Sequence, residues 1–466
     1  MTVPILAAAA FCLTASLFHA ASIIIGICRF RRCRTRSPLG KDNLPPVSLV
    51  RPLCGIDNYA ADTLSSTFAL DYPRCEILFC VASESDPAAP LAETLIASHP
   101  GANARLLIGD DRISTNPKLN NVLKGWRAAA HDWIVLADSN VLIPRDYIVR
   151  LFASWRSDTG LVASPPVGCR PEGFWAELEC AFLNTYQARW QYFADAFGCG
   201  FAQGKTMLWR RADLERAGGI EALAREVAED AAATKIVRKA GLKVRLVDRP
   251  VEQPLGRRSA ADVWNRQVRW ARLRRASFFI YFLPEIVSGS VTPTIAFAAV
   301  AHGLAFPVLP SALLFAALWY GGEMLLAAAA GWHVSARYPL HGIARDLLLP
   351  VLFVSALRGN DFVWRGDAME VGELRASDVL SRVRPRLVRL ATSGRRRINS
   401  LRLPKAAANQ FRARRWTDRS ALLLPRPHWR WPRWRPVQAE NPRPSRPLWR
   451  RAWLRPKPDL RARPGG

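Results

Sequence analysis

The stretch Trp133–Pro144, WIVLADSNVLIP, is an apolar run that stops abruptly at a carboxylate. Trp133 to Ala137 carries no charged residue, the pattern of a strand buried on both faces. Asp138 and Asn140 follow at once, where such a strand should end. A turn would use these residue types as readily as a binding site, so the flanking sequence has to decide.

Three other segments have the same character. VSLVRPL (Val47–Leu53), CEILFCVA (Cys75–Ala82) and ARLLIG (Ala104–Gly109) join DWIVLAD (Asp132–Asp138) as expected buried strands. Helix-like segments such as Tyr59–Ala69 and Leu119–Ala130 separate them. This alternation predicts an α/β domain over 41–258 with a mostly parallel, Rossmann-like sheet. Ligands of such sheets bind beyond the carboxyl ends of the strands. Acids occupy three such places: Asp86 after FCVASES, Asp138 after WIVLA, and the pair Glu229-Asp230 opening EDAAATKIVRKAG. Singly, each has an ordinary structural use. Asp86 before Pro87 can cap a turn or helix, and Asp230 can face a helix dipole.

The formal net charge of +28 is uneven. Residues 381–466 hold 25 Lys and Arg against 3 acids, so the body before them is only mildly basic. Half of all residues are hydrophobic, and they cluster in membrane-length runs. Val3 to Cys28 is long enough to cross a bilayer with tilt. A signal peptide would carry its positive residues first, whereas Arg29, Arg31, Arg32, Arg34 and Arg36 follow the run. That order predicts an uncleaved transmembrane helix over 3–28 with its C-terminal side in the cytoplasm. His19 within it is read as a tolerated polar residue. An amphipathic interfacial helix is expected over 259–282. A transmembrane hairpin is expected over 286–330, punctuated by Pro307 and Pro310, and a re-entrant or interfacial segment over 340–366.

Nine scattered cysteines, with no CxxC pair and no histidines at metal spacing, argue against a disulfide framework or zinc site and for reduced thiols. The basic tail, 381–466, interleaves Pro, Arg and Trp without period and is expected to be disordered. Nucleic acid could be its partner. Beside membrane segments, anionic lipid headgroups suit it better, and nucleic acid is set second.

The motifs VSLVRPLCGID, FALDYP, CVASESDPA, ISTNPKLNN, ADSNVLIP, AEDAAATKI and RQVRW stand in one order along the chain. In that order the sequence resembles the ceramide glucosyltransferases and their bacterial relatives, in glycosyltransferase families 2 and 21, from about Val47 to Arg365. SAL (Ser355–Leu357) and WRG (Trp364–Gly366) extend the likeness. The resemblance implies a GT-A-type domain and an inverting transfer of a hexose, glucose first, from a UDP-sugar to a lipid hydroxyl. Ceramide is the first acceptor it implies, and diacylglycerol or a glycosyl-diacylglycerol the second. It further implies that Asp86 lies at the nucleotide, that Asn116 and Lys118 sit near the donor, and that Asp138 binds a Mg²⁺- or Mn²⁺-diphosphate. By the same likeness Asp230 is the catalytic base, while Arg266, Arg269 and Trp270, the RxxRW signature, close on the sugar nucleotide. An integral protein of a bacterial inner membrane, with its catalytic domain cytoplasmic, is the implied setting.

These residue types suit that chemistry. A departing diphosphate needs positive charge, from a metal on hard oxygen ligands or from arginine. A carboxylate opposite must take the proton of the attacking hydroxyl. Trp270 can also serve as part of the acceptor floor, and RQVRWARLRR equally suits a lipid interface. Two positions depart from the animal enzymes' pattern or test it. Asn140 stands where a second metal-binding acid could be, a place the animal enzymes also leave without acid. Gln187 stands where those enzymes carry a histidine, which bears on the acceptor. A polysaccharide synthase would use a similar catalytic domain but more spans, and a non-catalytic membrane scaffold would not need this acid set.

Overall fold

A computed structural model describes residues 2–35, 44–364 and 367–370. The basic tail expected to be disordered lies outside the described residues.

The domain is mixed α/β. Its strands are β1 (Val47–Pro52), β2 (Cys75–Val81), β3 (Ala104–Ile108), β4 (Trp133–Ala137), β5 (Thr159–Ser164), β6 (Val167–Glu172), β7 (Thr206–Arg210), β8 (Lys243–Leu246) and β9 (Glu252–Arg257). Seven form one sheet in the order β3-β2-β1-β4-β7-β5-β8. β3, β2, β1 and β4 run parallel, as do β5 and β8, while β7 is antiparallel to both its neighbours. β6 and β9 form a separate parallel pair. The four apolar runs of the sequence are thus four of the six strands that share one direction, and residues 134–137 of β4 are buried without exception.

The helix Pro117–Ala128 lies unusually close to this sheet. A Cβ at Gly125 would stand 2.4 Å from Val50 Cγ1 and 2.8 Å from Cys80 Sγ. Glycine therefore lets the helix settle onto β1 and β2, with Trp126 buried beneath. Asn116 starts the helix, its Oδ1 accepting the N–H groups of Lys118 and Leu119 at 3.0 and 3.2 Å. Such a cap contributes about 1 kcal/mol. Its larger effect is positional, because it sets Lys118 at the carboxyl edge of the sheet.

Among the described residues, three helices are long and apolar enough to cross a membrane: Val3–Arg32, Val308–Ala330 and Tyr338–Leu357. A pair bent by 46°, Phe279–Val287 with Val291–Gly303, becomes a fourth span if counted as one. Two details differ from the sequence-based expectation. The first arm of the 286–330 hairpin is the 13-residue helix Val291–Gly303, about 20 Å long and short of the hydrocarbon core by itself. The segment expected over 340–366 reads as re-entrant because its uninterrupted apolar run, after Arg345 and Asp346, is too short to span. In the structure the helix continues back to Tyr338, because both charges are sheltered: Arg345 donates to Asp346 at 2.7 Å and to Glu323 at 3.1 Å.

Candidate active site

Three chain ends converge at the carboxyl edge of the sheet: the end of β4, the start of the helix Pro117–Ala128, and the start of the helix Glu229–Lys239. Lys118 joins them. Its Nζ lies 2.7 Å from Asp138 Oδ1 and 2.6 Å from Glu229 Oε1, and donates to the Gly204 carbonyl at 2.5 Å. Three donors meet three acceptors, so the ammonium is fully satisfied. Burial opposes its charge, but Asp138 and Glu229 outweigh burial and raise its pKa.

Asp138 is held from both sides. Lys205 Nζ donates to Asp138 Oδ2 at 2.9 Å and to Asn140 Oδ1 at 2.8 Å. Burial would raise the Asp138 pKa, yet Lys118 and Lys205 hold the carboxyl well below the usual range. β4 and β7 explain why Lys205 is there. In their antiparallel register Ala137 faces Thr206, and the Asp138 N–H donates to the Lys205 carbonyl at 2.9 Å. The residue before an antiparallel strand therefore stands beside the residue after a parallel one.

The loop Asp138–Val141 is fixed from below by Arg51, which is fully buried. Its Nη2 donates to the carbonyls of Asp138 at 2.7 Å and of Ser139 and Val141 at 3.1 Å, and its Nη1 to that of Thr63 at 2.7 Å. Burial pushes its pKa down to about 9, with Asp138 pulling the other way.

Asp230 lies half-buried beside Glu229, its Oδ2 accepting the Gly204 N–H at 3.0 Å. Burial and the neighbouring Glu229 charge raise its pKa to about 7, against a lowering by Lys118. Gly204 threads a gap that no side chain fits. A Cβ there would lie 2.7 Å from both Lys118 Nζ and Glu229 Oε1.

The remaining expected residues fall on the same cavity, about 1620 Å³ in volume. Asp86 Oδ1 accepts the N–H groups of Gly55 and Ala88, each at 2.9 Å, so it ties the loop after β1 to the helix Ala88–Ala97 while lining the cavity. Asn116 is committed structurally. Besides its capping bonds, its Nδ2 donates to Glu229 Oε2 at 2.8 Å and to the Val227 carbonyl at 3.1 Å. Arg266, Arg269 and Trp270 line the cavity from the helix Ala260–Ser277. Arg266 is hydrogen-bonded to Glu179 and stands 5.7 Å from the Trp270 ring centroid. Gln187 sits in a π-helix, Phe182–Ala188, with its Nε2 donating to Gln267 Oε1 at 3.1 Å. Its own Oε1 is buried with no hydrogen-bond partner among the described residues.

The cavity has two characters. At one end are Asp86, Lys118, Asp138, Lys205 and Asp230; at the other, Phe11, Thr14, Ala15 and Phe18 of the N-terminal helix, with Trp319.

A divalent cation does not fit the first end. Asp138 gives each oxygen to a lysine and Asn140 gives its single oxygen to Lys205. Among the described residues no group of three His, Cys, Asp or Glu side chains could hold a metal. Lys205, Arg51 and Glu179 were not singled out from the sequence. Arg51 could have been, since an arginine inside the apolar run SLVRPL has to be paired once buried.

The model for glycosyl transferase family 21 matches residues 14–376. Ceramide glucosyltransferase 3 of Caenorhabditis elegans is 24% identical over 336 residues, 71% of this chain and 73% of that protein. Ceramide glucosyltransferase 1 of the same organism is 28% identical over 251 residues; the match covers 53% of this chain and only 54% of that relative. The ceramide glucosyltransferase of Komagataella phaffii is 44% identical over 101 residues, 21% of this chain and 20% of its own. Among solved structures, the mannosyltransferase PcManGT from Pyrobaculum calidifontis, in complex with GDP-Man and Mn²⁺, aligns with a TM-score of 0.38 and 18% identity, covering 75% of this chain and 97% of that one.

Proposed function

The chain belongs to glycosyl transferase family 21, and from that premise we propose an inverting, membrane-bound transfer of a hexose, glucose first, from a UDP-sugar to the hydroxyl of ceramide. The observation that carries this reading is the single cavity joining the charged cluster at Asp138 and Asp230 to the apolar face of the N-terminal helix. A lipid acceptor needs such a passage, with its chains against Phe11 and Phe18 and its hydroxyl toward Asp230. The setting proposed is a bacterial inner membrane with the catalytic domain on the cytoplasmic side.

In this reaction the acceptor oxygen attacks the anomeric carbon, the bond from that carbon to the diphosphate breaks, and the hydroxyl proton passes to Asp230. A base works best with a pKa near the working pH, and burial beside Glu229 gives Asp230 that property. The leaving diphosphate faces the cationic side chains of the cleft: Lys205, Arg258, Arg266 and Arg269 all line it. A divalent cation bound with the donor would neutralise the same charge, but the residues at Asp138 do not favour one. A single displacement turns an α-linked donor into a β-linked product.

Membranes containing the protein are incubated with labelled UDP-glucose, UDP-galactose or UDP-glucuronate, each with ceramide or diacylglycerol. A lipid-soluble labelled product with UDP-glucose and ceramide is expected. Product only with diacylglycerol moves the assignment to that acceptor, and none with any pairing refutes lipid glycosylation.

A further inference from the structure

We propose that Lys205 supplies the positive charge at the donor diphosphate that a divalent cation would otherwise supply, so that donor binding and transfer are independent of metal. This rests on the glycosyl-transfer reading above and adds to it a residue and a cation requirement.

The geometry is specific. Asp138 and Asn140 occupy the two positions from which a metal at this strand end would draw side-chain oxygens. The Lys205 ammonium bridges them, at 2.9 Å from Asp138 Oδ2 and 2.8 Å from Asn140 Oδ1. It is therefore seated between the oxygens a dication would need. The pairing of β4 with β7 fixes it there through the backbone bond from Asp138 to Lys205.

Charge and donor count agree with this. An ammonium has three N–H donors. Two go to Asp138 and Asn140, and Lys205 lines the cavity, so the third is left for a phosphate oxygen. The side chain is only 11% exposed, and a charge-assisted hydrogen bond to phosphate is strengthened away from water. Asn140 fits the same logic. A neutral amide oxygen can orient an ammonium but adds no charge to hold a metal. Lys118 cannot take this role, since its three donors are already spent on protein oxygens.

The test uses the full-length protein in detergent, stripped with EDTA. Calorimetric titration with UDP is expected to give the same affinity in EDTA as with added Mn²⁺. Manganese electron paramagnetic resonance should show no loss of free Mn²⁺ beyond that caused by UDP alone. Lys205→Met should weaken UDP binding in EDTA by about tenfold or more, the loss of one charge-assisted hydrogen bond. Lys205→Arg, which keeps the charge, should retain most of the affinity. The double variant Asn140→Asp with Lys205→Ala, which restores an acid pair and removes the ammonium, should gain Mn²⁺ binding. Binding of UDP by the wild type only with Mn²⁺, or stoichiometric Mn²⁺ uptake by it, overturns the proposal with no variant needed. Failure to bind UDP under either condition instead overturns the donor reading beneath it, and metal-free UDP binding without lipid product overturns only the acceptor.

Discussion

Asp230 is where electrostatics and chemistry meet most directly. Its carboxyl is raised from 3.8 to about 7, first by burial and then by Glu229. A base must be deprotonated to act, so kcat/KM should fall as pH drops below about 7, with a single-proton slope. Asp230→Asn should reduce turnover by at least about a thousandfold while UDP binding stays within about twofold, since proton transfer is lost but the diphosphate site is kept. Retained turnover in the Asn variant removes Asp230 as base. The linkage runs the other way for stability. A carboxyl with a raised folded pKa contributes fully below the unfolded value and loses that contribution as pH rises towards 7. Asp230→Asn should therefore be more heat-stable than the wild type at pH 8, with the difference shrinking at pH 5. Function here is set against stability at one side chain.

At the scale of elements, strands β1 to β4 were open to reading, and β7, the strand of this sheet that runs against the rest, was not. β1 to β4 are apolar runs ended by polar residues, and the binding edge follows from their direction. β7 reads TMLWR and follows an unremarkable GK. Nothing local says that it pairs antiparallel to β4, so nothing local says that Lys205 meets Asp138. The same holds for the π-helix Phe182–Ala188. Such wider turns are frequent at functional sites, but its sequence, FLNTYQA, has no distinguishing pattern. Its effect is to set Gln187 against the cavity with Oε1 unpaired among the described residues, the state of a group awaiting a donor. The hydroxyl or amide of the proposed lipid acceptor would supply one. Gln187→Leu is expected to raise the acceptor KM about tenfold, the worth of one buried hydrogen bond, with the donor KM unchanged. Equal loss in both would mark Gln187 as a packing residue instead.

Across the whole molecule, a chain of buried charges links the apolar helices to the catalytic domain. Glu323, in the helix Val308–Ala330, faces Arg189 at 3.3 Å and Arg345 at 3.1 Å, and all three side chains are sealed from solvent. Arg189, in the helix Arg189–Ala196, also donates to Ser22 Oγ of the N-terminal helix at 2.6 Å. His19 stacks on Trp319 with centroids 3.7 Å apart, so the lone histidine read as tolerated is a packing contact. Arg345 pairs with Asp346, whose Oδ2 accepts the Ser290 N–H at 2.8 Å. Ions so placed are costly unless paired, and apart from the adjacent Arg345 and Asp346 the partners here belong to different segments. The sequence displayed the charges only as interruptions of apolar runs, since partners 134 residues apart leave no periodic trace. One consequence is mechanical: the apolar helices and the Asp138 cluster should hold or fail together. Glu323→Leu strips both arginines of their shared carboxylate and should destabilise the protein by about 3–5 kcal/mol. In detergent the melting transition should move down as one step, and UDP binding should be lost at the same temperature as the membrane helices unfold. Two separated transitions would show instead that the catalytic domain stands without this cluster. Glu323→Asp, which keeps the charge, should lie between the two.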